Sequence, residues 1–252
     1  MKPMLIRKIF TGGCLILAIL LIGTIPSQAQ VKVYSAPKRL MLKGDKNAAK
    51  EERVLIREKF YPIGWSKDGK FAYYVEPPDE ACGCYFGHLV IQDLQTDKIL
   101  WEQEYNSEEN EEVTLQTYWK KNQKEFSRKL GEFGIVAQPR FTLQNSAVAY
   151  RKDVLTPELK VNMKTDGSDL GVTGNVVLRL ISKQKGKKTL YEMKFDPEKY
   201  ENFLAAELSG SLLSPFEPRA AIIMIETYRG WEGPPHVTRI RIAGTTLTTG
   251  FQ

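Results

Sequence analysis

Histidine and cysteine are scarce in this chain. Its 252 residues hold only 2 histidines and 3 cysteines. A nucleophilic triad needs a histidine beside its nucleophile, and only His88 and His236 could serve. Neither lies in a nucleophile-elbow motif, so triad hydrolysis is not expected. No glycine-rich phosphate loop and no dinucleotide fingerprint occurs, which removes the common nucleotide-dependent classes. One close cysteine pair has no second Cys/His pair to complete a four-ligand zinc framework. Carboxylates are plentiful, but no glycosidase pair stands out among them. The stretch "KTDGSDLGVTGN" holds Asp166 and Asp169 but lacks the ligand spacing and final glutamate of a calcium loop, so it reads as a polar turn. Beyond Ile25 no apolar run is long enough to span a bilayer.

What is present begins with the N-terminus. Lys2, Arg7 and Lys8 precede the apolar run "CLILAILLIGTI", Cys14 to Ile25, and no acidic residue occurs before Asp45. Pro26 and the small-x-small site Ser27-Gln28-Ala29 follow. That order of charge, apolar core and cleavage site predicts a secretory signal peptide over 1–29, with cleavage near Ala29 and export to the periplasm or the medium. Cys14 begins the apolar core instead of ending it, which is the wrong order for lipid anchoring. Removing the segment's three basic residues lowers the formal charge from +6 to +3. A balance this weak gives no compositional support to nucleic-acid binding.

The mature chain, about 220 residues, suits one large β domain or two small ones. Residues 30–60 read as a polar N-terminal arm and 61–252 as a single β-rich domain. In "YPIGWSKDGKFAYYVE" a turn precedes a strand, and "CYFGHLVIQDL" and "ILWEQEY" follow as strands. Tyr85, Gly87, Leu89 and Ile91 alternate with His88, Val90 and Gln92, as in a half-buried strand. A helix is expected from Asn106 or Ser107 to Leu130, with acidic residues in its first turns and Gly131 at its end. The order then returns in "SAVAYRKDV", "NVVLRLISK" and "TLYEMKF", followed by a short helix "PEKYENFLAAEL". A third copy runs from "LLSPFEPRAAIIMIETY" through the loop "RGWEGPPH" to "VTRIRIAGTTL". Strands at Phe71, Ala147 and Ala220 lie about 75 residues apart, so approximate repeats start near 61, 141 and 211. The expected fold is mainly β with one or two helices (α+β). It is a degenerate repeat of antiparallel units, propeller-like or sandwich-like.

The segments "GWSKDGKFAYYV" and "VIQDLQTDKILW" resemble one blade of a WD40-like or TolB-type propeller, and "LLSPFEPRAAIIMIE" repeats the first half without the Asp-Gly. The start Gly64 to Lys70, and Glu232 to Leu247 with Arg239 in the late position, are similar to motifs of a group of secreted bacterial proteins of unknown function. That resemblance implies secretion and a β-rich architecture and carries no activity.

Cys82 and Cys84, in "EACGCYFGH", are the only cysteines past the signal. In an exported protein an even pair is read first as a disulfide. The alternative is a metal or thiol-redox centre using Cys82, Cys84 and His88. The loop "YRGWEGPPH" offers Tyr228, Arg229, Trp231, Glu232 and His236 for recognition, with aromatic and arginine side chains of the kind that dominate binding. The reading favoured is a non-enzymatic exported module, without cofactor, that binds a protein or envelope component. It binds no nucleic acid and has no membrane span in the mature chain.

Overall fold

The computed structural model of the protein describes residues 32–80, 82–108, 113–145, 147–165, 172–195 and 203–252. The predicted signal segment, Asp166 and Asp169 lie outside them. An extended arm over residues 32–39 leads to a 3-10 turn at Asp45–Asn47. One helical turn, α1 (Ala48–Glu51), and the strand β1 (Leu55–Ile56) come next. A meander follows, of β2 (Lys59–Trp65), β3 (Lys70–Glu76), β4 (Phe86–Asp93) and β5 (Ile99–Asn106). Helix α2 (Leu115–Glu132) and the short β6 (Val136–Ala137) close this unit. The second meander holds β7 (Val148–Tyr150), β8 (Asp153–Thr165), β9 (Val172–Ser182) and β10 (Gly186–Phe195). The third holds β11 (Phe203–Leu213), β12 (Arg219–Gly230) and β13 (Gly233–Thr246).

Each meander is its own sheet, in the orders β5-β4-β3-β2-β6, β10-β9-β8-β7 and β1-β13-β12-β11. Pairing is antiparallel throughout, except that β1 joins β13 in parallel. The protein is thus mainly β with helices, as the strand patterns predict. The sheets pack as layers, with the third in the middle. Along β12, Ala220 to Ile225 are all apolar and all buried, the pattern of a strand covered on both faces. Ala221, Ile223 and Ile225 pack against Phe60, Phe71 and Val90 of the first sheet. Ala220, Ile222 and Met224 pack against Leu155, Leu178 and Leu180 of the second.

The first sheet is covered on its other face by α2, whose Tyr118, Trp119, Phe126 and Leu130 bury against Ile63, Ala72, Tyr74 and Leu89. The centre of β4 is therefore enclosed on both faces, with Leu89 and Ile91 toward the helix and Val90 toward the middle sheet. The half-buried strand expected there is wrong for this reason. The helix also starts later than its sequence suggests. Asn106 belongs to β5, and its Oδ1 accepts from the Glu108 N–H at 2.9 Å. Ser107 Oγ accepts from the Tyr85 N–H at 2.8 Å. Both would-be caps are spent closing the strand end, and Thr114 forms the capping box with Thr117 instead. Of the acidic run assigned to the first turns, Glu109, Glu111 and Glu112 lie outside the described residues.

The second predicted helix is corrected where it can be described. Phe203 to Leu208 pair with β12 as strand β11; pairing with a long apolar strand overrides the helical propensity of its leucines, alanines and glutamate. Residues 196–202 lie outside the described residues. The arm, expected as a polar N-terminal segment, is bolted to α2 through Tyr34. The Tyr34 N–H donates to Ser127 Oγ at 3.1 Å, and its carbonyl accepts from Trp119 Nε1 at 2.9 Å and Gln123 Nε2 at 3.1 Å. Its hydroxyl donates to the Ile135 carbonyl. Among the described residues no helix is long and apolar enough to cross a membrane.

Candidate functional site

The segment "RGWEGPPH" is a hairpin and not an irregular loop. Gly230 pairs with Gly233, leaving Trp231 and Glu232 as its two-residue turn. His236 sits in β13, paired beside Leu55 of β1, and its backbone N–H donates to the Val54 carbonyl at 2.7 Å. Its Nδ1 accepts from the Gly230 N–H at 3.4 Å. This histidine braces the hairpin. Tyr228 is half-buried: it meets Phe203 edge-on at 5.6 Å and carries the Arg239 guanidinium over its ring at 4.8 Å. Its hydroxyl donates to Glu226 Oε2 at 2.8 Å, and burial pushes its pKa up. Arg229 is intermediate in exposure and Glu232 exposed. Trp231 differs from all of them, with 91% of its surface in solvent.

The cysteine loop meets this turn. Glu80 Oε2 accepts from the Trp231 backbone N–H at 2.8 Å across 151 residues. The loop is clamped at both ends. Glu76 Oε2 accepts from Tyr61 and Glu76 Oε1 from Tyr85, at 2.8 and 3.2 Å. The Ser107 N–H donates to the Tyr85 carbonyl at 3.0 Å. Within the loop, the Asp79 carboxylate accepts from the N–H groups of Cys82 and Cys84 at 3.0 and 3.1 Å. The two sulfurs are at bonding distance, with Cα atoms 5.2 Å apart. His88 stands on β4, its Nε2 3.1 Å from Glu102 Oε2 and 4.0 Å from Glu104 Oε1. Among the described residues no group of three or more His, Cys, Asp and Glu side chains is arranged to hold a metal ion. Cys82, Cys84 and His88 are therefore not gathered as a ligand set.

Sequence reasoning missed a polar cleft of about 570 Å³ between the first sheet and the outer edge of β13. Among the described residues that edge has no neighbouring strand beyond β1, and side chains of the first sheet and its flanks take the place of one. Glu58 Oε2 accepts from the Ile240 N–H, Gln92 Nε2 donates to the Ile242 carbonyl at 3.2 Å, and Asp97 Oδ1 accepts from the Gly244 N–H at 2.6 Å. Burial pushes Glu58 up to about 7, against the Ile240 hydrogen bond and the Arg239 charge. Burial likewise raises Asp97 to about 6. On the other face of β13 the fully buried Glu226 accepts from Arg241 Nε at 2.8 Å, Tyr228 at 2.8 Å and Tyr191 at 3.3 Å.

These acids are committed to backbone and arginine partners. Their arrangement satisfies an exposed sheet edge and a buried charge. One signal for Glu226 was in the sequence: a glutamate directly closes the apolar run "AAIIMI". Comparison with protein-family models, with curated proteins and with solved structures finds no match for this chain.

Proposed function

We propose that this chain is an exported, non-enzymatic binding module that engages a protein or envelope component through the β12–β13 turn. The observation that carries the reading is Trp231, an indole 91% exposed on a two-residue turn pinned to the cysteine loop through Glu80. Burying so large a side chain in a partner's pocket contributes much of the affinity at typical interfaces. A turn held in place loses little conformational freedom on binding, which strengthens such a contact. Glu80, bound to the Trp231 backbone N–H, and the exposed Glu232 next in sequence give Trp231 polar neighbours. Glu58 and Asp97 of the neighbouring cleft are engaged in holding β13, which supports binding over catalysis. Export rests on the basic, apolar and small-residue order of residues 1–29, and terminal sequencing of the exported protein should find Gln30 first.

A photocrosslinking residue at Glu232 tests the site in the native compartment. A specific adduct is expected, and Trp231→Ala should abolish it. The same adduct in the Trp231→Ala protein would overturn the assignment.

A further inference from the structure

A second groove, of about 550 Å³, lies far along the chain from the Trp231 turn. Its floor is Pro62 and Ile63 of β2, and its walls are the arm at 33–40 and the segment at 137–142. The walls are held in place. Tyr34 fixes the arm to α2, Leu40 bridges to Phe60, and the Gln138 N–H donates to the Ile63 carbonyl at 3.0 Å. The groove is thus formed before any ligand arrives.

Its chemistry is one-sided. Among the described residues three cationic ones, Lys38, Arg39 and Arg140, line it, and no carboxylate does. Lys38 and Arg140 are exposed and have no ion-pair partner among the described residues. Arg39 gives one nitrogen to Asp45 at 3.2 Å, while its buried Nε has no hydrogen-bond partner among the described residues. Pro37, Pro62 and Pro139 contribute rings but no backbone N–H. The groove's charge is therefore carried by the three cationic side chains; Ser35, Gln138 and Thr142 add neutral polar groups, and the prolines, Ile63 and Phe141 supply apolar surface. Pro62 also bars an extended peptide from adding to β2 along the gap between Leu40 and β6, because its nitrogen cannot donate to an incoming strand.

We propose that this groove binds a small amphipathic anion, an apolar chain ending in a carboxylate or phosphate. The chain lies on the proline, Ile63 and Phe141 surface, and the charged end sits between Arg140, Lys38 and Arg39. The volume is in the range of small-ligand sites, and charge complementarity selects the sign.

Calorimetric titration of the whole exported protein with dodecanoate, dodecyl phosphate, dodecanol and inorganic phosphate tests it. Dodecanoate or dodecyl phosphate should bind, and whichever is tighter identifies the head group. Dodecanol and inorganic phosphate should each bind at least about tenfold more weakly, as expected for losing either the charged contacts or the apolar ones. Arg140→Ala with Lys38→Ala should weaken the anionic amphiphile by about tenfold or more. Both positions are exposed, so folding should be unaffected. Trp231→Ala should leave this binding unchanged, which separates the groove from the turn. No heat with either amphiphile, equal binding of dodecanol, equal binding of inorganic phosphate, or an unaltered double variant would each overturn the proposal.

Discussion

Gly244 donates its backbone N–H to Asp97 Oδ1 at 2.6 Å, although the two residues lie 147 positions apart. With Glu58 and Gln92 this contact completes a row of side chains along the open edge of β13. Asp97→Ala should leave that N–H without its acceptor and cost about 1–3 kcal/mol. Asp97→Asn, which keeps an acceptor oxygen, should cost much less. Urea unfolding of the two variants checks the difference, and light scattering on the alanine variant should show edge-driven association.

Acidity should stabilise this edge. Burial holds Glu58 at about 7 and Asp97 at about 6, above ordinary values of 4.5 and 3.8. Below the ordinary values both acids are protonated, folded or unfolded. As the pH rises toward 7 the unfolded chain releases its protons first, so the stability these groups confer is progressively lost. Glu58→Gln removes the larger part of this dependence and keeps an acceptor for Ile240. Comparing unfolding free energies near pH 5 and pH 8, the fall seen in the parent should shrink in the variant by on the order of 2 kcal/mol. An unchanged slope would contradict the assignment.

The Glu226–Arg241 pair should respond asymmetrically to truncation. Glu226 is 1% exposed, whereas the Arg241 side chain is 42% exposed. Arg241→Ala leaves a buried carboxylate with only tyrosine donors and should cost about 3 kcal/mol. Glu226→Ala frees an arginine that can reach water and should cost less. Equal costs in a double-mutant cycle would mean that Glu226 is already solvated.

Two tryptophans give opposite expectations. Trp119 is 1% exposed and packs edge-on against Phe126 at 4.9 Å, so Trp119→Ala should cost about 3–5 kcal/mol. Trp231→Ala should change stability by no more than about 0.5 kcal/mol, since its indole lies in solvent. Thermal unfolding of both variants checks this directly.

What the sequence made legible follows from the range of the forces involved. The apolar run Ala220 to Ile225 marks a strand buried on two faces, and the periodic Tyr118, Trp119, Phe126 and Leu130 mark a helix. Both signals are local. The start of α2 was misplaced because Asn106 and Ser107 look like caps, and only the fold shows them closing β5. The turn at Trp231 was legible as a recognition candidate, but its exposure and its tie to Glu80 were not. The cleft was invisible because Glu58 and Ile240 stand 182 residues apart, and no periodicity encodes such a contact.

The middle layer has a consequence for how the molecule is made. Both outer sheets bury their inner faces against β11–β13, which are encoded after them, between residues 203 and 246. Until that stretch has left the ribosome, Phe60, Phe71, Leu155 and Leu178 have no surface to close upon. The nascent chain therefore carries one sheet's open apolar face once Ala137 is made, and a second once Phe195 is made, until the last strands follow. Its solubility in that interval depends on whatever shields those faces, and the last-made layer ends the exposure on both sides at once.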